Sequence, residues 1–383
     1  MRVLIVHNQL WAHYKSKLFE EIHYNLSERY PESVFRVIQI GLYESSRRTM
    51  QSDNTPIYHY PYELLFNESL DRIKFFPRLK ALFLAYRAFK PDVLNITGYY
   101  DWAQIGLMCL AKAEGVKIVL SSESSTADHQ RSKFRETIKK WIVNRADAFF
   151  CFGTTSAEYL KKLGIPERKI AVRNAAVIDD ERIREKFLQT GSAINNRRPA
   201  FIFVGRLAPE KNLGVLLEAY IKTKALSTRS WRLILVGDGP MKKEIAGWIE
   251  REKLENVTLA GGVSWLEVPE WLSQADVLIL PSYSEPWGLV VNEALVCGLP
   301  VIVSEKCGCA DDLVETGKNG YLFNPYNSDE LADKMVHFME MSPDELQSYR
   351  NYGQRLVSKF AAGKVAAEMA DTYVALSTTA GRK

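Results

Sequence analysis

Short apolar runs alternate with longer amphipathic stretches along the whole of this 383-residue chain. Each run is strand-length and is flanked by Gly, Pro, Asn or Asp, the punctuation of a buried strand. In the first half, strands are predicted near Val3–Val6, Val34–Ile40, Asp92–Ile96, Lys117–Ser121, Ala148–Phe152 and Ile170–Val172. In the second half they are predicted near Ala200–Val204, Arg232–Val236, Asn256–Leu259, Asp276–Leu280, Pro300–Ser304 and Gly320–Phe323. Helical patterns fill the intervals, and such alternation is the signature of βαβ units and parallel sheets. A polar stretch at 179–199, ending in Asn195-Asn196-Arg197-Arg198-Pro199, separates the two sets. The pattern predicts an α/β protein with one domain over 1–178, a linker over 179–199, a second domain over 200–360 and a closing amphipathic helix within 361–383.

Composition narrows the class. Apolar residues at 46% and charged residues at 25% are ordinary for a globular protein, and the length suffices for two full cores. No apolar run approaches 18 residues, so no transmembrane helix is expected. The N-terminal run Val3-Leu4-Ile5-Val6 is too short for a signal peptide, so cytoplasmic residence is expected. Five cysteines, odd in number and mostly within apolar segments, argue against a disulfide framework. Cys307-Gly308-Cys309 lacks the second Cys or His pair that a zinc site needs.

Charge is uneven. Residues 1–173 hold 26 Lys and Arg against 18 Asp and Glu, a surplus of eight, while the remainder is four negative. The basic half is expected to face something anionic, but the surplus is too small, and recognition motifs too absent, for a nucleic-acid binder. Within that half, Arg72–Lys90 carries six cations and no acid, with aromatics between them. It reads either as a helix packed on the sheet with a basic face in water, or as a peripheral contact with an anionic membrane leaflet.

The chemistry concentrates in the second half. After the strand ending at Leu280 come Glu285-Pro286-Trp287-Gly288-Leu289-Val290-Val291-Asn292-Glu293. Gly288 permits a tight turn into a helix whose first N–H groups lack intrahelical partners and so form a ready anion site. One carboxylate before that site and one within the helix suit hydroxyls on either side of a phosphate, which is the layout of a nucleotide sugar. After Phe201–Val204, the run Gly205-Arg206-Leu207-Ala208-Pro209-Glu210-Lys211 places two cations at a strand's carboxyl end, as a diphosphate requires. Gly237-Asp238-Gly239-Pro240 follows the next strand in the same way.

The order Gly-Arg-x4-Lys, Gly-Asp-Gly-Pro, Pro-Ser-x-x-Glu-Pro-Trp-Gly-Leu-x-x-x-Glu-Ala and Cys-Gly-Leu-Pro-Val-Ile resembles the retaining glycosyltransferases of family 4. The strong motifs cover Phe201 to Asn324, and weaker resemblance extends over the whole chain. The resemblance implies the GT-B fold: two Rossmann-like, doubly wound parallel-sheet domains facing across a cleft, with the final helix crossing back to the first. It implies transfer of a hexose from a nucleotide-diphosphate sugar, UDP- ahead of GDP-, to a glycan acceptor. A lipid-linked acceptor in surface polysaccharide or lipopolysaccharide biosynthesis is expected. The mechanism implied is metal-independent front-face displacement, with the nucleotide sugar as co-substrate and no cofactor.

By the same resemblance, Arg206 and Lys211 hold the donor diphosphate and stabilise the leaving charge. Glu293 binds the ribose and Glu285 the donor sugar, while Trp287, Gly288, Leu289 and Val290 offer backbone N–H groups. The base is expected between Gly237 and Gly239 on one side and Gly262 and Val263 on the other, though these glycines serve equally as turn residues. In the first domain, the turn His7–Lys15 lacks the Gly-Gly pair of many relatives, and Tyr14 and Lys15 are candidate substitutes. Glu123 falls where many relatives carry a His near the reacting centre. Tyr99, Asp128 and Arg131 complete the candidate acceptor set, while capping of the next helix by Ser124 or Thr126 is the plainer use of that loop. A small soluble acceptor, or a catalytically silent scaffold, are the alternatives. The scaffold predicts lost donor ligands, and Arg206, Lys211, Glu285 and Glu293 are all present.

Overall fold

The computed structural model describes residues 1–45, 58–98, 100–123, 133–191 and 198–380. The chain divides into two compact units, Met1–Asp179 with Phe360–Lys383, and Asp180–Lys359. Among the described residues, no helix is long and apolar enough to cross a membrane.

The first unit is built on seven parallel strands: β1 Arg2–Gln9, β2 Val34–Gly41, β3 Tyr62–Leu64, β4 Val93–Thr97, β5 Lys117–Ser122, β6 Ala148–Cys151 and β7 Ile170–Val172. Their order is β3-β2-β1-β4-β5-β6-β7, so the winding reverses between β1 and β4. Val3 to Val6 of β1 are wholly buried, because a parallel sheet is covered on both faces and its central strands read as continuous apolar runs. On one face, Leu82, Tyr86 and Phe89 of helix Phe75–Phe89 and Leu107 and Met108 of helix Trp102–Ala113 pack on Leu4, Ile38, Leu94 and Ile118. The C-terminal helix Ala362–Ala380 belongs to this unit. Its Tyr373 is fully buried, stacks edge-on against Phe150 and accepts a hydrogen bond from Asn95 Nδ2 at 2.6 Å. β3 was not predicted, since three residues at a sheet edge, one of them Glu63, are too short to show periodicity.

The second unit carries six parallel strands: β8 Ala200–Val204, β9 Arg232–Val236, β10 Val257–Gly261, β11 Val277–Leu280, β12 Val301–Ser304 and β13 Gly320–Phe323. The order β10-β9-β8-β11-β12-β13 places the reversal between β8 and β11. The predicted strands are all present, within three residues at their ends. The expected linker needs correcting. Helix Asp180–Gly191 occupies its first half and is part of the second unit, with Ile183 buried, Lys186 Nζ 2.7 Å from Glu270 Oε1 and Arg182 over the Trp265 ring. Its outward face is so polar that the whole stretch resembled a linker.

In open α/β sheets, ligands bind beyond the carboxyl ends of the strands flanking the reversal. In the second unit those ends carry the loops Gly205–Asn212 after β8 and Pro281–Gly288 after β11.

Candidate functional site

The loop after β8 is held by its neighbours as well as by its own turns, Lys211 N donating to Ala208 O and Asn212 N to Pro209 O. Leu207 N donates to Asp238 O at 2.8 Å and Met241 N to Leu207 O at 3.0 Å, lacing it to the loop after β9. Gly237 N donates in turn to Gly261 O at the end of β10. A Cβ on Gly237 would lie 1.8 Å from Gly205 O, and one on Gly239 would lie 2.4 Å from Leu207 O. These two glycines are therefore needed for backbone-to-backbone approach, which brings the Arg206 and Gly237–Gly239 segments side by side. Gly262 also comes close to this loop, since a Cβ added there would lie 3.2 Å from Asp238 Cβ. Val263 follows at its side.

The two cations behave differently. Arg206 is exposed and paired with Glu210, four residues on. Lys211 is largely enclosed and paired with Glu285, the side chains being 16% and 14% exposed. The pair bridges the ends of β8 and β11. Asn212, in a left-handed conformation directly after Lys211, donates from Nδ2 to Pro281 O at 3.1 Å and Pro325 O at 2.7 Å. Tyr283 N donates to Glu210 O at 2.9 Å. Three loops are thereby fixed around the Lys211–Glu285 pair.

Gly288 has φ 97°, and its missing Cβ would lie 2.7 Å from Leu280 Cδ2 and 3.3 Å from Glu285 Cγ. Only glycine can make this turn, which opens helix Leu289–Val296 beside the Glu285 side chain. That helix has no side-chain cap and no acid in its first turn. Its opening N–H groups, the Leu289 and Val290 amides included, and the positive end of its dipole thus begin next to the loop that carries Glu285. The Trp287 indole is buried and donates from Nε1 to Asn292 Oδ1 at 2.8 Å, so this residue offers a ligand only its backbone. Glu293, one turn into the helix, keeps partial access to solvent, and its carboxyl takes part in no hydrogen bond or ion pair among the described residues. Burial pushes its carboxyl up from 4.5 to about 7. A carboxylate left unpaired in such surroundings is unfavourable to the fold.

In the first unit, Lys15 sits in the opening turn of helix His13–Arg29, where the helix dipole disfavours a cation. It is nonetheless buried, with its side chain 3% exposed, because Glu123 Oε1 at the end of β5 lies 2.9 Å from Nζ. The Phe152 and Tyr14 rings flank the ammonium at 4.4 and 5.5 Å. Beside it His7 is buried against Gln39, and desolvation together with the Lys15 charge lowers its pKa to about 4. Tyr14, Lys15 and Glu123 are thus brought together at the carboxyl ends of β1 and β5. Tyr99, Asp128 and Arg131, like Ser124 and Thr126, lie outside the described residues.

Several contributors were missed from sequence. Asn212 reads as an ordinary helix start, and its clamping of two loops depends on partners far along the chain. Gly308 looks like a spacer between cysteines, yet a Cβ there would lie 1.8 Å from Pro286 O. Gly308 N and Cys309 N donate to Glu285 O and Trp287 O, supporting the Glu285–Gly288 loop. Tyr283 stacks on Tyr326 with ring centroids 5.1 Å apart, both exposed at the edge of the site.

Two Rossmann-like parallel-sheet units, the second with a lysine and a glycine-led helix start converging on one acid, are the architecture of the GT-B transferases. Two family models match the chain in succession, Glycosyltransferase Family 4 over residues 24–179 and Glycosyl transferases group 1 over residues 185–356. The chain belongs to these group 1, family 4-type glycosyltransferases. It is 28% identical over 280 residues to the alpha-monoglucosyldiacylglycerol synthase of Acholeplasma laidlawii, covering 66% of this chain and 68% of that one. It is 30% identical over 215 residues to the putative colanic acid biosynthesis glycosyltransferase WcaL of Salmonella typhimurium, covering 54% of this chain and 51% of that protein. With WcaL, as with an uncharacterized glycosyltransferase of Methanocaldococcus jannaschii, the chain spans about half the relative's length. Among solved structures, Anabaena HepE in complex with UDP superposes with a TM-score of 0.70 at 21% identity, over 98% of this chain and all of that one.

Proposed function

We propose that this protein transfers a hexose from a nucleotide-diphosphate sugar, a UDP-sugar ahead of a GDP-sugar, to a glycan acceptor with retention of configuration. The observation that carries this reading is the Lys211–Glu285 pair set against the uncapped start of helix Leu289–Val296. Before a donor binds, the two side chains neutralise one another. With donor bound, Lys211 turns to the diphosphate together with Arg206 and the helix amides, and Glu285 is released to accept hydrogen bonds from sugar hydroxyls. Glu293 then accepts from the ribose hydroxyls. The names of relatives support the donor and the acceptor class: one solved neighbour holds UDP, and curated relatives are a glucosyldiacylglycerol synthase and a colanic acid glycosyltransferase.

The reaction proceeds on one face of the donor sugar. The acceptor oxygen bonds to the anomeric carbon as the bond from that carbon to the diphosphate breaks, and the acceptor proton passes to the departing phosphate oxygen. Lys211, Arg206 and the helix dipole stabilise the charge growing on the diphosphate, so the protein supplies position and field rather than a covalent step. No metal ion enters this scheme. We assign Lys15, Tyr14 and Glu123 to the acceptor side. We assign the acceptor to a lipid-linked glycan of a surface polysaccharide or lipopolysaccharide, met at the cytoplasmic face of a membrane.

Calorimetric titration with UDP, GDP and their sugars tests the donor, and NMR of the product's anomeric proton tests retention, each with and without a chelator. Failure to bind any nucleotide or nucleotide sugar removes the reading. Activity that disappears with chelator removes its metal independence.

A further inference from the structure

Helix Phe75–Phe89 buries one stripe and leaves another bare. Leu82, Ala85, Tyr86 and Phe89 face the core, whereas Phe76, Lys80 and Leu84, spaced four apart, lie on the exposed stripe. Phe76 is 77% exposed and Leu84 62%. Phe75, also exposed, packs edge-on against Phe76 with centroids 5.1 Å apart. Exposure of this much aromatic surface at one spot of a folded domain marks a contact surface.

A second helix contributes to the same rim. Arg78 Nη1 donates to Asp101 Oδ2 at 2.6 Å, and Asp101 Oδ1 accepts from Ala103 N at 2.8 Å, capping helix Trp102–Ala113. Arg78 also donates to Leu70 O and Ile73 O, fixing the turn that enters its own helix. One guanidinium therefore ties the starts of both helices together, and Trp102, 59% exposed, stands on the same rim as Phe75 and Phe76. Both helices begin at the carboxyl edge of the first sheet, the edge that also carries Lys15 and Glu123.

The exposed charge around these rings is predominantly positive. Arg72, Lys74 and Lys80 are exposed and have no ion-pair partner among the described residues. Arg87 is paired with Glu114, and the adjacent acid Asp71 is engaged by Ser45 and Ser69. Protruding aromatics ringed by unpaired cations match an anionic bilayer surface, where rings settle at headgroup depth and each cation near the surface adds attraction.

We infer that the rim formed by Phe75, Phe76 and Trp102, with Arg72, Lys74 and Lys80, docks this protein on an anionic lipid bilayer. This deepens the reading of a lipid-linked acceptor and rests on it: docking at this edge would hold the acceptor side of the first unit against the leaflet that carries the acceptor.

Sedimentation with phosphatidylcholine vesicles, with and without phosphatidylglycerol, tests the inference. The protein is expected to bind only the vesicles containing phosphatidylglycerol, and less as salt is raised. Phe76→Ser and Trp102→Ser should each weaken binding about tenfold through lost apolar burial. The pair Lys74→Glu and Lys80→Glu should abolish it. All four positions are exposed, so melting curves should be unchanged. Equal binding to neutral vesicles, no vesicle binding, or variants that bind like the parent would overturn the inference. So would a dimer, seen by light scattering, that dissociates on Phe76→Ser. UDP titration of the same samples separates the two proposals: a protein that binds UDP but no vesicles keeps its function and loses the rim, whereas one that binds vesicles but no nucleotide does the reverse.

Discussion

Lys211 and Glu285 lie 74 residues apart in sequence and form an ion pair across the ends of β8 and β11. Each is mostly enclosed by protein, so each depends on the other for charge compensation. A cation and an anion poised in this way can exchange one another for a phosphate and a hydroxyl without leaving either charge stranded.

The first prediction concerns that exchange. Lys211→Ala should lower the rate of sugar transfer by about 10²–10³-fold, the usual effect of removing one preorganised donor to a developing negative charge. Glu285→Ala should also impair transfer, and a double variant should lose less than the two single losses combined, because the pair acts as a unit. Initial rates with the preferred nucleotide sugar decide this. Full activity in Lys211→Ala would refute the donor assignment.

Glu293 gives the protein a measurable pH response. Its carboxyl titrates near 7 in the fold against 4.5 when exposed. Between those values the folded state holds a proton that the unfolded state releases, so this group's contribution to stability declines as pH rises from about 4.5 to about 7. Glu293→Gln should therefore stabilise the protein at pH 8, by up to about 3 kcal/mol, while weakening nucleotide binding about tenfold or more through loss of a charged acceptor. Urea unfolding at pH 5 and pH 8 tests the first half. A variant no more stable at pH 8 than the parent would contradict it.

Nucleotide binding should carry the same signature. Ribose hydroxyls donate best to an ionised carboxylate, so UDP affinity should fall as pH drops below about 7. Binding near neutral pH should release a proton. Calorimetry in buffers of different ionisation enthalpy measures that release directly, and no buffer dependence would exclude Glu293 from the ribose contact.

Two glycines separate steric need from backbone need. At Gly308 a Cβ would press on Pro286 O at 1.8 Å, so Gly308→Ala should cost about 3 kcal/mol or more and disturb the loop under Glu285. At Gly317 nothing lies within 4 Å but φ is +79°, so Gly317→Ala should cost only about 1–2 kcal/mol and leave UDP binding intact. Thermal unfolding ranks the pair, and equal losses would show that the close approach at Gly308 is relieved by relaxation.

Lys15 and Glu123 make a corresponding pair in the first unit. Glu123→Ala leaves a buried ammonium without its carboxylate and should destabilise by about 1–2 kcal/mol, the partial exposure of Glu123 moderating the loss. Adding Lys15→Met should recover most of it. If the double variant is as unstable as the single one, the ion pair is incidental to the fold.

The strands and the second-unit loops could be read from sequence because their information is local. A run such as Phe201–Val204 identifies itself by its apolar side chains, and Gly-Arg-x4-Lys or Glu-Pro-Trp-Gly sits within one turn or loop. Edge strand β3 and helix Asp180–Gly191 escaped because one is too short and the other too polar on its outward face to show a period.

What the chain order could not reveal was which distant groups meet. The winding reversal at β8 and β11 decides that Lys211 finds Glu285, and the reach of helix His13–Arg29 to the end of β5 decides that Lys15 finds Glu123. The raised carboxyl of Glu293 is likewise invisible in sequence, since desolvation depends on which neighbours exclude water. Local pattern therefore determined the elements and the chemistry on offer. Tertiary packing decided the partners, because charge pairing and burial depend on distances in space that sequence separation does not encode.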